Sequence, residues 1–401
     1  MRKAAIIGTG TLPWRSRYLN LTDRGLAYTS VKLALEDAGI TKDRVDSVIY
    51  SIFSETVLRQ QIPAEPMQDT LGFDNKRTLR IEAGNATGLY ALYAAYAEVA
   101  SGMSDIVLVV GIQKGQDLYC YETHSRGDGF VRGSAQACDT MLLLPVCASI
   151  PAYLTTTLWL PHLKKYGGPT PEQAARFSSM CHRNAADNPE AQLQQAVSPE
   201  EVMASRIIAW PTTMLQCCLY SDASASLVIA SEKVAAQLSE NPVWISGIAV
   251  SSYPSTQLMP ETVGRIMGLN IASKKAYQMA GIANPVRQLD LCETYDLISA
   301  GGVISLEELG LCELGQGGRL VDEGVFETQG QLPVNVSGGR VACGHVGGVS
   351  DIYSSAYVAN QLRGRANGAQ VKVEHGRGMV ASHDEFAGFS GAMVLESQRR
   401  Q

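Results

Sequence analysis

Several places in this chain set side chains fit for chemistry among small, turn-forming neighbours. Ile81-Glu82-Ala83-Gly84-Asn85-Ala86-Thr87-Gly88 is a strand end that turns through small residues straight into an Ala-rich helix. A turn of this kind lifts one side chain to the top of a sheet and aims the free N–H groups of the helix at it. Asn85 stands there. An amide is a poor nucleophile, but it caps helices and donates hydrogen bonds, so a cap and a site donor are both open to it. A second helix mouth, Gly338-Gly339-Arg340-Val341-Ala342-Cys343-Gly344-His345-Val346-Gly347-Gly348, carries His345. So many glycines leave an imidazole little apolar surface to pack on, which favours a role in a site.

Three further side chains stand beside these turns. Tyr295 ends the strand Leu289-Asp290-Leu291-Cys292-Glu293-Thr294-Tyr295-Asp296, and reads either as a site phenol or as a core tyrosine with a satisfied hydroxyl. His383, in Ser382-His383-Asp384 near Gly388 and Gly391, is flanked by acids that could serve only to solvate it. Cys343 is two residues from His345 and is a candidate displaced nucleophile, because a neighbouring imidazole lowers a thiol's pKa. His124, His162, His182 and His375 read as structural or surface residues, and Cys217-Cys218 as small buried hydrophobes.

The elements that must position these residues come in two matching sets. Thr22 or Asp23 caps a helix that runs to about Ala38, with Leu26, Ser30, Leu33, Ala34 and Asp37 at helical spacing and Gly39 as its stop. A strand follows at 46–53, then a connection with Pro63 and Pro66, then strand 78–82 into the Asn85 turn. The helix over 86–100 has Leu89, Leu92, Tyr93, Tyr96 and Val99 on one stripe and alanines elsewhere, so it is buried on nearly all sides. The apolar run 105–111 is a strand covered on both faces. Gly8-Thr9-Gly10 closes the first strand but is no dinucleotide fingerprint, because Pro13 stands where the third glycine belongs.

The same β-α-β-β-α-β plan returns later in the chain. Lys275-Ala276-Tyr277-Gln278-Met279-Ala280-Gly281-Ile282 matches Leu33-Ala34-Leu35-Glu36-Asp37-Ala38-Gly39-Ile40 as a helix end, glycine and strand. The Gly338–Gly348 turn then leads into a helix bearing Val349, Ile352, Tyr353, Tyr357 and Leu362. His345 therefore corresponds to Asn85. We expect two units, residues 1–240 and 241–401, sharing one crevice. The first carries an inserted loop region over about 112–220, with helices near 171–187 and 199–205 before a return strand at 223–230.

Composition narrows the function. The chain has 401 residues, 45% hydrophobic and 18% charged, with 38 glycines, as expected of a globular protein with many tight turns. A net charge of -6 gives no electrostatic footprint for nucleic acid. The apolar run at the start stops after four residues, too short for a signal peptide or a membrane span, so a cytoplasmic location is expected. Nine cysteines without C-x-x-C spacing argue against a disulfide framework and a zinc site.

The duplicated halves, Val110-Gly111-Ile112-Gln113-Lys114, Cys217-Cys218 before Ser221-Asp222-Ala223-Ser224-Ala225, and Gly344-His345 together resemble the thiolase superfamily over essentially the whole chain. The nearest resemblance is to sterol-carrier-type thiolases and to thiolase-like subunits that work with an OB-fold, zinc-ribbon partner. It implies an α/β thiolase fold layered α-β-α-β-α, an acyl-CoA substrate with no tightly bound cofactor, no metal and a homodimer. The family's nucleophilic Cys position falls on Asn85, and its activating His position on or next to Tyr295. Its Gly-His turn is kept, with Gly344, Gly347 and Gly348 expected against coenzyme A and Asp351 where a glycine is usual. The C-terminal Cys motif survives only as Ser382-His383-Asp384.

Without a thiolate, ordinary acyl transfer is in doubt, because neither an amide nor a phenol replaces it at neutral pH. What remains is a site that can stabilise an enolate. The Cys-lacking steroid side-chain aldolases are similar, down to the Tyr295-Asp296 pair and the segment His182-Arg183-Asn184-Ala185-Ala186-Asp187-Asn188-Pro189, although His345 stands where they have Tyr. The resemblance implies cleavage of a β-hydroxyacyl-CoA into a ketone or aldehyde and a shorter acyl-CoA. Tyr295 or His345 would be the base, with Asn85 around the oxygen, and an OB-fold partner would be needed. An acyltransferase using Cys343 and a non-catalytic subunit are the alternatives. Tyr, Leu and Trp in 143–166 suit a roomy apolar pocket or a subunit interface.

Overall fold

The computed structural model describes residues 2–118, 124–125, 149–254 and 262–397. Among the described residues, five strands of the main sheet come from the first half of the chain: β1 (Ala4–Thr11), β2 (Ser47–Ser51), β3 (Arg77–Ile81), β4 (Ile106–Gln113) and β5 (Ala223–Ser231). Four come from the second: β6 (Val243–Ser252), β7 (Leu291–Thr294), β8 (Arg377–His383) and β9 (Phe389–Glu396). They join in the order β3-β2-β4-β5-β1-β6-β9-β8-β7. The principal helices are α1 (Asp23–Asp37), α2 (Thr87–Ser101), α3 (Pro171–Ala186), α4 (Met267–Ala280), α5 (Ser299–Glu308) and α6 (Ser350–Leu362).

The duplication is visible in the pairing. In the first half β2 runs parallel to β3 and β4, and β5 runs antiparallel to β4 and β1. In the second, β7 is parallel to β8, and β9 is antiparallel to β8 and β6. A single parallel bridge from Cys292 to Val334 stands where β3 would be. Within the sheet the halves pair through Ala5↔Trp244 and Ile6↔Val243. On either side of that narrow join lie different helices: α1 on β1, β4 and β5, and α4 on β6 and β9. Helix α2 packs on β2 and β4 of its own half and on β6 and β9 of the other, while α6 packs on β8 and reaches β5 and β1. Two central helices between two sheet wings, with outer helices beyond, make the α-β-α-β-α layering.

Local chemistry explains most element ends. The Thr22 hydroxyl accepts the Gly25 N–H and starts α1, whose buried face is Leu26, Ala27, Ser30, Val31 and Ala34. Leu33 points outward, 40% exposed, because that face of α1 looks to solvent rather than to the sheet. Tyr93 of α2 likewise turns outward, and Ala91 and Ala95 join Leu89, Leu92 and Val99 among the buried positions. Gly10 is required by contact: a Cβ there would lie 2.1 Å from the Ser30 carbonyl of α1. In the inserted region α3 opens with a complete capping box from Thr170 and Gln173, and a short helix at Pro199–Ala204 does the same through Ser198 and Glu201.

Helices α2 and α6 cross at Gly88. A Cβ on Gly88 would stand 2.7 Å from the Cβ of Asp351, closer than real carbon atoms pack. Gly88→Ala should therefore push the two central helices apart at a cost of about 1–3 kcal/mol, read as a lowered midpoint in thermal or urea unfolding. An unchanged midpoint would mean that this crossing is slack.

Candidate active site

Asn85 does not cap α2. The cap position is Ala86, which has no side chain for the purpose. Instead the Thr87 hydroxyl accepts the Ala83 N–H at 2.8 Å and pins the turn, in which Gly84 has φ of 55°. The Leu89 N–H, still free at the start of α2, donates to Asp351 Oδ2 of α6 at 3.0 Å. An acid from the opposite half thus meets the positive end of α2. The Asn85 side chain is left for the cleft, buried at 3% exposure.

The cleft is lined by Phe53, Asn85, Cys218, Tyr220, His345 and Glu385, with Ile150, Pro151, Leu297 and Gly347 beside them. Gly347 is there because a Cβ would collide with Asn85 Oδ1 at 2.7 Å, so the two helix mouths can approach only through a glycine. Gly344 and Gly348 are explained by packing: a Cβ on the first would strike Trp14 at 2.6 Å, and on the second the Ser51 carbonyl at 2.9 Å.

Tyr295 and His345 do meet. The Tyr295 Oη lies 2.9 Å from His345 Nδ1, with the rings edge to face at 5.6 Å. Both are buried. Burial first, and then the Asp351 charge, hold the Tyr295 phenol well above its ordinary value. Burial, helped by the Arg340 guanidinium, lowers His345 to about 3. Both groups are therefore neutral, and in the tautomer in which the phenol donates to Nδ1 the imidazole carries its own proton on Nε2. The His345 backbone is tied by N–H donation to Ser221 Oγ at 3.3 Å and by accepting the Ser221 N–H at 3.2 Å. Arg340 is itself buried, stacked 5.6 Å over Trp14 and donating to Ser354 Oγ at 3.3 Å.

His383 stacks edge-on against Tyr295 at 5.8 Å, from the end of β8. Its Nδ1 meets the Asp384 carbonyl at 2.7 Å, and burial lowers it to about 4. Asp296 turns away from the cleft, accepting the Arg340 N–H at 2.6 Å, and burial raises it to about 7. Cys343 also faces away: Asn188 Nδ2 donates to its Sγ at 3.6 Å, and burial lifts the thiol to about 12. It is an inert thiol in the core. Cys218, by contrast, is half-buried on the cleft wall, with its thiol raised well above the ordinary value by burial.

Sequence reasoning stopped one residue short of Glu385. The tight hairpin between β8 and β9, closed by Gly388 N–H donation to Asp384 Oδ1 at 2.7 Å, throws Glu385 inward. Its Oε2 accepts the Asn85 N–H at 3.2 Å. The available signal was an Asp-Glu pair inside a short strand-to-strand turn opposite the Asn85 loop. Of the other histidines, His162 is fully buried between Glu307 Oε2 and the Gly264 carbonyl, each at 2.7 Å, a structural clamp. Of the segment 143–166, residues 143–148 lie outside the described residues. Ile150 and Pro151 wall the cleft, and Tyr153 packs on Phe386 at 5.2 Å. No helix among the described residues is long and apolar enough to cross a membrane, and no cluster of metal-ligating side chains occurs among them.

Comparison with known proteins agrees with this architecture. The thiolase N-terminal domain family matches residues 5–207, and the thiolase C-terminal domain-like family matches residues 249–397. The chain belongs to the thiolase family. Within it, this thiolase-like chain is 30% identical over 378 residues to an acetyl-CoA acetyltransferase of Methanothermobacter thermautotrophicus, covering 93% of this chain and 94% of that protein. It is 28% identical over 377 residues to sterol carrier protein 2 of Homo sapiens, covering 88% of this chain and 65% of that protein. Among solved structures, the Ltp2-ChsH2(DUF35) aldolase superposes with a TM-score of 0.82 at 22% identity, covering 100% of this chain and 99% of that one. That likeness establishes the shared fold.

Proposed function

We propose that this protein breaks a carbon–carbon bond beside a CoA thioester by retro-aldol cleavage, converting a β-hydroxyacyl-CoA into a ketone or aldehyde and a shorter acyl-CoA. One observation carries the reading: the turn that would present a nucleophile presents the Asn85 amide, and across the same cleft stands a neutral His345 whose Nδ1 meets the Tyr295 hydroxyl. Such donors can hold a thioester oxygen as it becomes an enolate, while nothing at that turn can take up an acyl group. His345 Nε2–H and the Asn85 amide serve as those donors, Tyr295 orients His345, and the thioester lies against Gly347. His383 packs behind Tyr295 and keeps its ring in place. An imidazole lowered to about 3 is a poor proton acceptor, so His345 acts as a donor and not as the base.

Coenzyme A enters as part of the substrate. The aldolase whose fold this chain shares is named together with a DUF35 protein. We extend that to a zinc-ribbon, OB-fold partner here, with a homodimer of this chain at its centre and a cytoplasmic location. A bulky acyl chain, such as a steroid side chain, is the substrate class proposed.

The name acetyl-CoA acetyltransferase on a 30% identical relative, with Cys218 on the cleft wall, favours a second reading as an acyltransferase. One assay separates the two. The purified chain, with and without the partner, is given a β-hydroxyacyl-CoA bearing a tertiary alcohol, before and after iodoacetamide, and products are read by mass spectrometry. Retro-aldol cleavage should survive alkylation. Turnover abolished by alkylation, with an acyl adduct on a cysteine, would replace it with acyl transfer.

A further inference from the structure

Glu385 is the most conspicuous polar group that the roles above leave unused. The residue is 1% exposed, and its Oε1 has no hydrogen-bond partner among the described residues. A buried carboxylate oxygen left unpaired costs free energy, and proteins retain such groups mainly where a ligand or a reaction completes them. The other oxygen is anchored by the Asn85 N–H at 3.2 Å, so the carboxyl is oriented and not free to swing out. It lines the cleft beside Asn85 and His345. It also lines a second, larger cavity with Phe53, Arg80, Glu82, Gly84 and Phe386, and so stands in the wall between the two. Burial, then the neighbouring Asp384 and Glu82 charges, hold its proton affinity above the ordinary carboxylate range.

We propose that Glu385 is the proton shuttle of this site. The inference rests on the retro-aldol reading. The Glu385 carboxylate removes the proton from the β-hydroxyl; the hydroxyl oxygen forms the new C=O as the Cα–Cβ bond breaks. The bonding pair moves onto Cα and the thioester as an enolate held by Asn85 and His345. Glu385, now a carboxylic acid, returns the same proton to Cα, releasing the shorter acyl-CoA and regenerating the carboxylate. No net proton and no redox partner is needed, and one group with intermediate proton affinity suits both transfers.

The test is Glu385→Gln, which keeps an oxygen to accept the Asn85 N–H, assayed in two ways. The first is cleavage of the tertiary β-hydroxyacyl-CoA. The second is exchange of the α-hydrogens of acetyl-CoA and propanoyl-CoA with deuterium oxide, read by mass spectrometry. Each is run on the whole protein, with and without its partner. The substitution should slow both reactions by about 100-fold to 10,000-fold while acyl-CoA binding, measured by calorimetry, stays within a few-fold. Glu385→Asp should recover part of the exchange. Loss of cleavage with exchange intact, or retention of both, would overturn the shuttle. Wild-type exchange without any cleavage would sink the retro-aldol reading but leave Glu385 as the α-carbon acid/base. Neither reaction in the wild type would sink both. Thermal melting of Glu385→Gln beside wild type serves as the folding control.

Discussion

Asn85→Cys should not turn this protein into a thiolase. The expected result is no acyl adduct by intact-protein mass spectrometry, slow alkylation by iodoacetamide, and a fall of about 100-fold or more in retro-aldol turnover, the scale of losing one preorganised oxyanion donor. The reason lies outside position 85. A cysteine at a helix mouth becomes a thiolate because the helix N-terminus favours negative charge there. In this chain Asp351 has already taken the Leu89 N–H in the first turn of α2, at 3.0 Å, and the Glu385 carboxyl accepts the N–H of residue 85 itself. Two carboxyls beside a new thiol oppose its ionisation. Replacing Asp351 as well should change the outcome: the double variant Asn85→Cys, Asp351→Gly should alkylate at least 10-fold faster than Asn85→Cys alone. Equal rates would show that Asp351 does not set the electrostatics of this helix mouth.

That coupling also marks what could be read from the sequence. The duplicated strand-turn-helix pattern was legible because both copies end a helix on glycine and open the next one through small residues, at Gly84 and at Gly344 to Gly348. Both mouths do reach one cleft, and the Tyr295 strand end meets His345 on its wall through the phenol hydroxyl. What escaped depended on partners from the other half. Whether Asn85 caps α2 is decided by Thr87 and by Asp351, some 260 residues away. Glu385 was invisible because an acid in a polar hairpin is ordinarily solvated, and only the fold of the second half onto the Asn85 turn buries it. Spacing alone places Leu33 inward, but a stripe's width cannot say where the sheet ends, and the sheet face of α1 runs through Ala27 and Val31 instead.

The same carboxyl that neutralises the α2 mouth should govern stability against pH. Burial raises Asp351 to about 6, and an unfolded chain returns it to an ordinary value near 3.9. Between those values the folded protein holds a proton that the unfolded chain has lost. The favourable contribution is therefore complete below about pH 4 and is lost as pH rises through the folded value. Above about pH 7 the folded state bears a buried, ionised carboxylate. Asp351→Asn keeps an oxygen for the Leu89 N–H and removes that charge. It should be close to neutral at pH 4 and stabilising by roughly 3 kcal/mol at pH 8, since each tenfold change in proton affinity is worth about 1.4 kcal/mol. Asp296, raised to about 7, bends the curve the same way. His345 and His383, lowered to about 3 and about 4, act oppositely: their contribution is present above about 6.5 and is lost as pH falls. Urea unfolding at pH 5, 6, 7 and 8 separates these effects, because the groups common to both proteins cancel and only the Asp351 part remains in the difference between wild type and variant. A difference that does not grow with pH would mean that Asp351 stays ionised at little cost. The helix mouth would then be a ready-made carboxylate site that the α2 dipole alone sustains.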